Sequence, residues 1–131
     1  MIDIYNKVYT LIKNALANQT PQIEMSAVYV NMPSKRPFVS VEEIENAVDV
    51  LHSSCNVENF ADMQYEINIY TEGTKKRADG INILKLVDNA LSSVGFVRTS
   101  KNEFQTQNET VYHIIARYSG IVSKDNVIYR R

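Results

Sequence analysis

The chain has 131 residues, 44% of them hydrophobic, and its 14 basic and 15 acidic side chains leave a formal charge of −1. That length suits one domain whose core is large enough to need no disulfide or metal staple. The charge balance excludes the global pull toward nucleic acid or anionic lipid that clustered Lys and Arg provide.

The lone Cys55 cannot form an internal disulfide, and the first residues lack the basic start and apolar run of a signal peptide. Folding in cytoplasm is the expectation. No apolar stretch approaches the roughly 20 residues that span a bilayer, so no membrane segment is expected.

From Ile2 to Ala17 the residues Ile4, Val8, Leu11, Ile12, Ala15 and Leu16 recur at spacings of three and four, which puts them on one side of a helix. Asp3 suits the positive end of the helix dipole, and Asn18-Gln19-Thr20-Pro21 is a stop signal. Met25 to Val30 is rich in strand formers, and Phe38 to Ile44, after a loop bracketed by Pro33 and Pro37, reads as its antiparallel partner. Between Glu45 and Ala61 there is no sustained period, and the segment reads as a connection.

Met63 to Tyr70 alternates, sending Met63, Tyr65, Ile67 and Ile69 to one face and Gln64, Glu66 and Asn68 to the other. Thr74 follows as a helix cap, Ile81, Leu84, Val87, Leu91 and Val94 form a helical stripe, and Gly95 ends it in the left-handed region. Phe96 to Phe104 and Val111 to Val122 are two more strands joined by the polar turn Gln105 to Asn108, with a short strand at Val127 to Tyr129. The expected fold is a single α+β domain over residues 1–131, an antiparallel sheet with two helices packed on one face, in the order α-β-β-β-α-β-β with a terminal β. Gln64, Glu66, Asn68 and Tyr70 would then populate a partly uncovered polar and aromatic face.

Chemistry-bearing patterns are thin. His52 and Cys55 supply two ligands where a metal site needs three or four, and His113 is distant in sequence. The segment Glu72 to Gly80 has two glycines but not the spacing of a phosphate-binding loop. Glu42 and Glu43 are adjacent on a strand and so point to opposite faces, while Glu58 and Asp62 sit in a polar setting. No catalytic, cofactor or metal residues are assigned, and an enzyme is not expected. Lys75, Lys76 and Arg77 occupy the start of the second helix, where the dipole disfavours positive charge by roughly 0.3–1 kcal/mol per group. An acidic surface of a neighbouring copy, supplied by Glu42, Glu43 and Glu45, would offset that cost.

Four segments carry a family resemblance: Pro37 to Asn46, Tyr65 to Tyr70, the helix from Lys75 to Gly95 with Phe96-Val97-Arg98, and the closing Ala116 to Ser123 with Ile128 to Arg131. Together, in order and at this length, the chain resembles the small tail-completion, or tail-terminator, proteins of long-tailed phages and prophages of Gram-positive bacteria. The resemblance implies a structural subunit that forms a ring, typically of six copies and in isolation sometimes a monomer. Such a ring caps the head-proximal end of the tail tube and meets the head connector, so the tail tube protein and the connector protein are implied partners. The implied location is the host cytoplasm during assembly and then the virion tail. Within that reading, loops 31–36 and 105–109 and the C-terminal Tyr129-Arg130-Arg131 are candidate contacts, and Arg130 and Arg131 could face DNA in a pore without sequence specificity. Two alternatives stay open. One is a head-tail adaptor or minor capsid protein; the other is a sheet-based nucleic-acid or ligand-binding module presenting Tyr70, Tyr112 and Tyr118 for stacking.

Overall fold

A computed structural model of the chain describes residues 1–19, 22–27, 37–48, 60–105, 111–123, 125 and 127–129. In chain order the elements are α1 (Tyr5–Ala15), β1 (Glu24–Ser26), β2 (Phe38–Val48), β3 (Phe60–Glu72), α2 (Lys76–Val94), β4 (Val97–Gln105), β5 (Val111–Ser123) and β6 (Ile128–Tyr129). This is the expected α+β order. The sheet runs β1-β2-β3-β5-β4, with β6 added to β5 at Ile121 and Val122. The pairs β2–β3, β3–β5 and β4–β5 are antiparallel.

The first pair corrects the expectation, because β1 runs parallel to β2, with Glu24, Met25 and Ser26 opposite Phe38, Val39 and Ser40. The sheet is therefore mixed. Strand-former content carries no information on direction, and a parallel pair only requires that the connection cross back to the same end. Val28 to Val30, assigned to this strand from the sequence, lie outside the described residues, as do residues 31–36 of the loop read between the two strands.

One sheet face is covered by both helices. Val39 and Val41 from β2, Met63, Tyr65, Ile67 and Ile69 from β3, and Ile114, Ala116, Tyr118 and Val122 from β5 are buried there. They meet Val8, Ile12 and Leu16 of the first helical segment and Ile83, Leu84, Val87 and Leu91 of α2. Each such aliphatic side chain contributes roughly 1.5–3 kcal/mol when fully buried. The buried phenols reach polar partners at the margins of this layer. Tyr65 Oη donates to Glu43 Oε1 at 3.0 Å and Tyr118 Oη to Asp88 Oδ1 at 2.8 Å, and the half-buried Tyr5 donates through Oη to the Val41 carbonyl at 2.6 Å. Burial, reinforced by the neighbouring carboxylate, holds the phenols of Tyr65 and Tyr118 far above the usual tyrosine range.

The helix ends follow local chemistry with one correction. Asp3 Oδ1 accepts the Tyr5 N–H at 3.1 Å, so α1 starts three residues later than its apolar pattern. Ile2 and Ile4 remain buried ahead of it. Gly95 closes α2 at φ 111°. Thr74, however, does not cap α2. Lys75 holds the N-cap position and makes no side-chain cap bond, while Thr71 Oγ1 donates to the Lys76 carbonyl at 2.5 Å. Gly80 lets this first turn lie close on the sheet, since a Cβ there would sit 2.9 Å from Ile114 Cδ1.

The segment read as a connection is in part strand. β2 continues to Val48, and β3 already begins at Phe60, with Asp49 to Asn59 outside the described residues. A β-bulge explains the misreading. Glu43 pairs with Tyr65 but Glu45 pairs with Gln64, so Ile44 is an extra residue and the alternation changes phase.

Candidate interaction surfaces

The charged residues singled out in the sequence fall at the two margins of the sheet. Glu42, Glu43 and Glu45 lie on β2, which among the described residues is outermost beyond the three residues that β1 covers. As adjacent strand residues should, Glu42 shares the face of Glu66 and Glu43 that of Tyr65. None of the three forms an ion pair among the described residues, and β2 has no basic residue.

The opposite margin is basic. Lys75, Lys76 and Arg77 open α2, and β4 beside it brings Arg98 and Lys101, with Lys85 exposed on α2. Over Lys75, α2 and β4 the basic residues are Lys75, Lys76, Arg77, Lys85, Arg98 and Lys101, and the acidic ones are Asp79, Asp88 and Glu103. Six against three leaves a net of +3. Part of this charge is used internally. Arg77 Nε lies 3.1 Å from Glu103 Oε1, Lys101 Nζ 3.2 Å from Glu103 Oε2, and Arg98 Nη1 3.3 Å from Asp88 Oδ1. Tyr112 Oη donates to Glu103 at 2.7 Å, and that bond, with the two cations, holds the Glu103 carboxyl below the usual range. Lys75 and Lys85 have no ion pair among the described residues. Arg77 thus pairs with its own sheet while its side chain stays 64% exposed. Arg130 and Arg131 lie outside the described residues, as do 106–109 of the second candidate loop.

The sheet face away from the helices is less open than its sequence pattern suggested. Gln64 and Glu66 are half-buried, but Asn68 is fully buried and Tyr70 only 1% exposed, packed with Phe38 and Val111. Register places Phe38, Tyr70, His113 and Phe104 side by side across β2, β3, β5 and β4. The His113 ring stacks on Tyr70 at 4.1 Å, and Phe104 lies 6.0 Å from His113. Beside this row runs a polar chain. Arg117 Nε lies 3.2 Å from Glu66 Oε2, Asn68 Nδ2 donates to Glu66 Oε1 at 3.2 Å, and Asn68 Oδ1 is 2.8 Å from His113 Nε2. Because Asn68 uses its amide nitrogen on Glu66, its oxygen accepts, which assigns the proton of neutral His113 to Nε2. Desolvation pushes the His113 pKa down, against the pull of Glu66.

This chain fixes side chains rather than presenting a reactive pair. Ser40 Oγ, buried opposite Asn68, has no hydrogen-bond partner among the described residues. Among those residues no group of three or more His, Cys, Asp or Glu is arranged to hold a metal ion; His52 and Cys55 lie outside them. Sequence reasoning missed Glu66, Asn68, His113 and Arg117 as a unit, and Arg98, Lys101 and Glu103 as the centre of the basic flank. The only available signal was that Glu66, Asn68, His113 and Arg117 each stand two or four positions from another on one strand face. No protein-family model and no curated protein sequence matches the chain.

Proposed function

We propose that this chain is a structural subunit that caps the head-proximal end of a phage tail tube as a ring of copies and joins it to the head connector. One observation carries the reading: a single sheet has an acidic margin on β2, without ion pairs among the described residues, and a basic margin at β4 and α2. Two different, complementary margins favour head-to-tail association, and head-to-tail contacts close into rings when the rotation permits. The resemblance of the four sequence segments to tail-terminator proteins supplies the identity of the ring, and its role is assembly rather than catalysis.

The same resemblance leaves a head-tail adaptor or minor capsid role as the neighbouring reading, with host cytoplasm and virion as the location in each case. A nucleic-acid module is disfavoured by the side chains it would use. Tyr70 and Tyr118 are buried and Tyr112 is half-buried with its hydroxyl tied to Glu103, so the three do not form an exposed stacking platform. Negative-stain microscopy of particles from a strain lacking the protein tests the proposal. Overlong, irregular tubes without heads are expected; tails of normal length with heads attached would refute termination.

A further inference from the structure

Resting on the ring reading, we infer that the acidic margin of β2 in one copy seats against the β4–α2 flank of the next, anchored by Ile44 on one side and by Val97 and Phe104 on the other. Direction permits it. β2 is antiparallel to β3, β3 to β5 and β5 to β4, so β4 runs opposite to β2. A copy added beside β4 without inversion therefore presents its β2 antiparallel to that strand.

Exposed apolar side chains mark the same two margins. The large ones among the described residues are Met1, Ile44 at 39%, Val97 at 41%, Phe104 at 48% and Val127. Those within strands all belong to β2 or β4. Apolar residues on an outer strand are an aggregation liability unless covered, and here both margins carry them.

Charge then selects which margins meet. Two β2 margins face to face would oppose Glu42, Glu43 and Glu45 to their own copies, and two β4 flanks would oppose Arg98, Lys85 and Lys101 to theirs. Like charges across strands destabilise, so the mixed contact is favoured over both self-contacts. Each margin also carries a bulge, between Glu43 and Glu45 and between Arg98 and Ser100, and Tyr5 already occupies the Val41 carbonyl. Bulges interrupt a regular ladder, so side chains carry most of this contact.

Disulfide trapping in assembled tails tests the contact. In a Cys55→Ser background, Ile44→Cys is combined with Val97→Cys, Ser100→Cys or Phe104→Cys. Within one chain these positions are three strand spacings apart, roughly 14 Å, beyond disulfide reach. Oxidation should give a ladder of three or more linked copies for at least one pair, while each single-cysteine variant stays unlinked. Rings visible at tail ends without any ladder would overturn this contact and leave the ring intact; links from a single-cysteine variant would show like margins meeting. Chain absent from tails would instead sink the ring reading itself. As a second measure, Glu45→Lys and Lys85→Glu should each lower self-association of the purified chain several-fold, and their combination should restore it. Failure of the combination to recover association would also overturn the pairing.

Discussion

His113 sits where burial and charge compete, and the outcome sets a pH dependence. Its ring is stacked on Tyr70 and bonded to Asn68 Oδ1, a site that suits the neutral Nε2–H form. Desolvation lowers its pKa from the ordinary 6.5, and the weaker attraction of Glu66 opposes this. In the unfolded chain the ring takes up a proton as pH falls through 6.5, while in the fold it resists until a lower pH. The unfolded state thus binds more protons in that window, and stability rises with pH there. Above 6.5 both states are neutral and the contribution is flat. His113→Gln keeps a donor for Asn68 without titrating, so urea unfolding between about pH 5 and 7, where histidine titrates, should show a shallower pH slope in the variant. A steeper or inverted slope would mean that Glu66 dominates. None of this was legible in the sequence. His113 is 45 positions from Asn68 and Arg117 is 51 from Glu66, and such pairs meet only once strand register is known.

The start of α2 shows function and stability pulling apart within one element. Lys75 stands at the N-cap without a side-chain bond, and Lys76 and Arg77 follow at the positive end of the dipole. Asp79 alone supplies acid in the first turn. An N-cap Asp would accept a backbone N–H and complement the dipole, so Lys75→Asp should raise the unfolding free energy of the isolated chain by about 1 kcal/mol. The same change removes a positive charge from the proposed contact flank, so self-association should weaken. Thermal unfolding and sedimentation of one sample check both effects; a variant no more stable than the parent would show that the cap geometry is unavailable. At this scale the sequence was informative where a pattern is local. The alternation from Met63 to Tyr70 is β3, and the stripe from Ile81 to Val94 ended by Gly95 is α2. It was uninformative where a structural choice is nonlocal. The bulge at Ile44 broke the period of β2, and the parallel direction of β1 depends on partners 14 positions away, Glu24 opposite Phe38. The Thr74 cap failed for a further reason: Lys75 follows it, and the helix begins only at Lys76.

At the scale of the whole molecule, a subunit with two unlike margins can add neighbours on both sides, and that asymmetry has a direct consequence in mixtures. A closed ring has as many contacts as copies, and the last closes intramolecularly at high effective concentration. Each contact can therefore be weak alone, of the order of millimolar or roughly 4 kcal/mol. Isolated protein at low concentration is then expected to be monomeric, with association that declines as salt screens the Glu42–Glu45 margin from Lys85 and Lys101. One variant with Ile44→Asp and Glu45→Lys loses its β2 margin; a second with Val97→Asp and Phe104→Asp, keeping Lys85, loses its β4 flank, and the two altered margins repel each other. Each alone has one working margin and nothing to dock it on, so each should sediment as a monomer at concentrations where the parent associates. Mixed, the intact β4 flank of the first meets the intact β2 margin of the second, and growth stops at two because the outer margins are both dead. Sedimentation of the mixture should therefore show a dimer and no larger species. Dimers from either variant alone would mean a self-complementary contact, and oligomers beyond two in the mixture would mean that a third surface takes part.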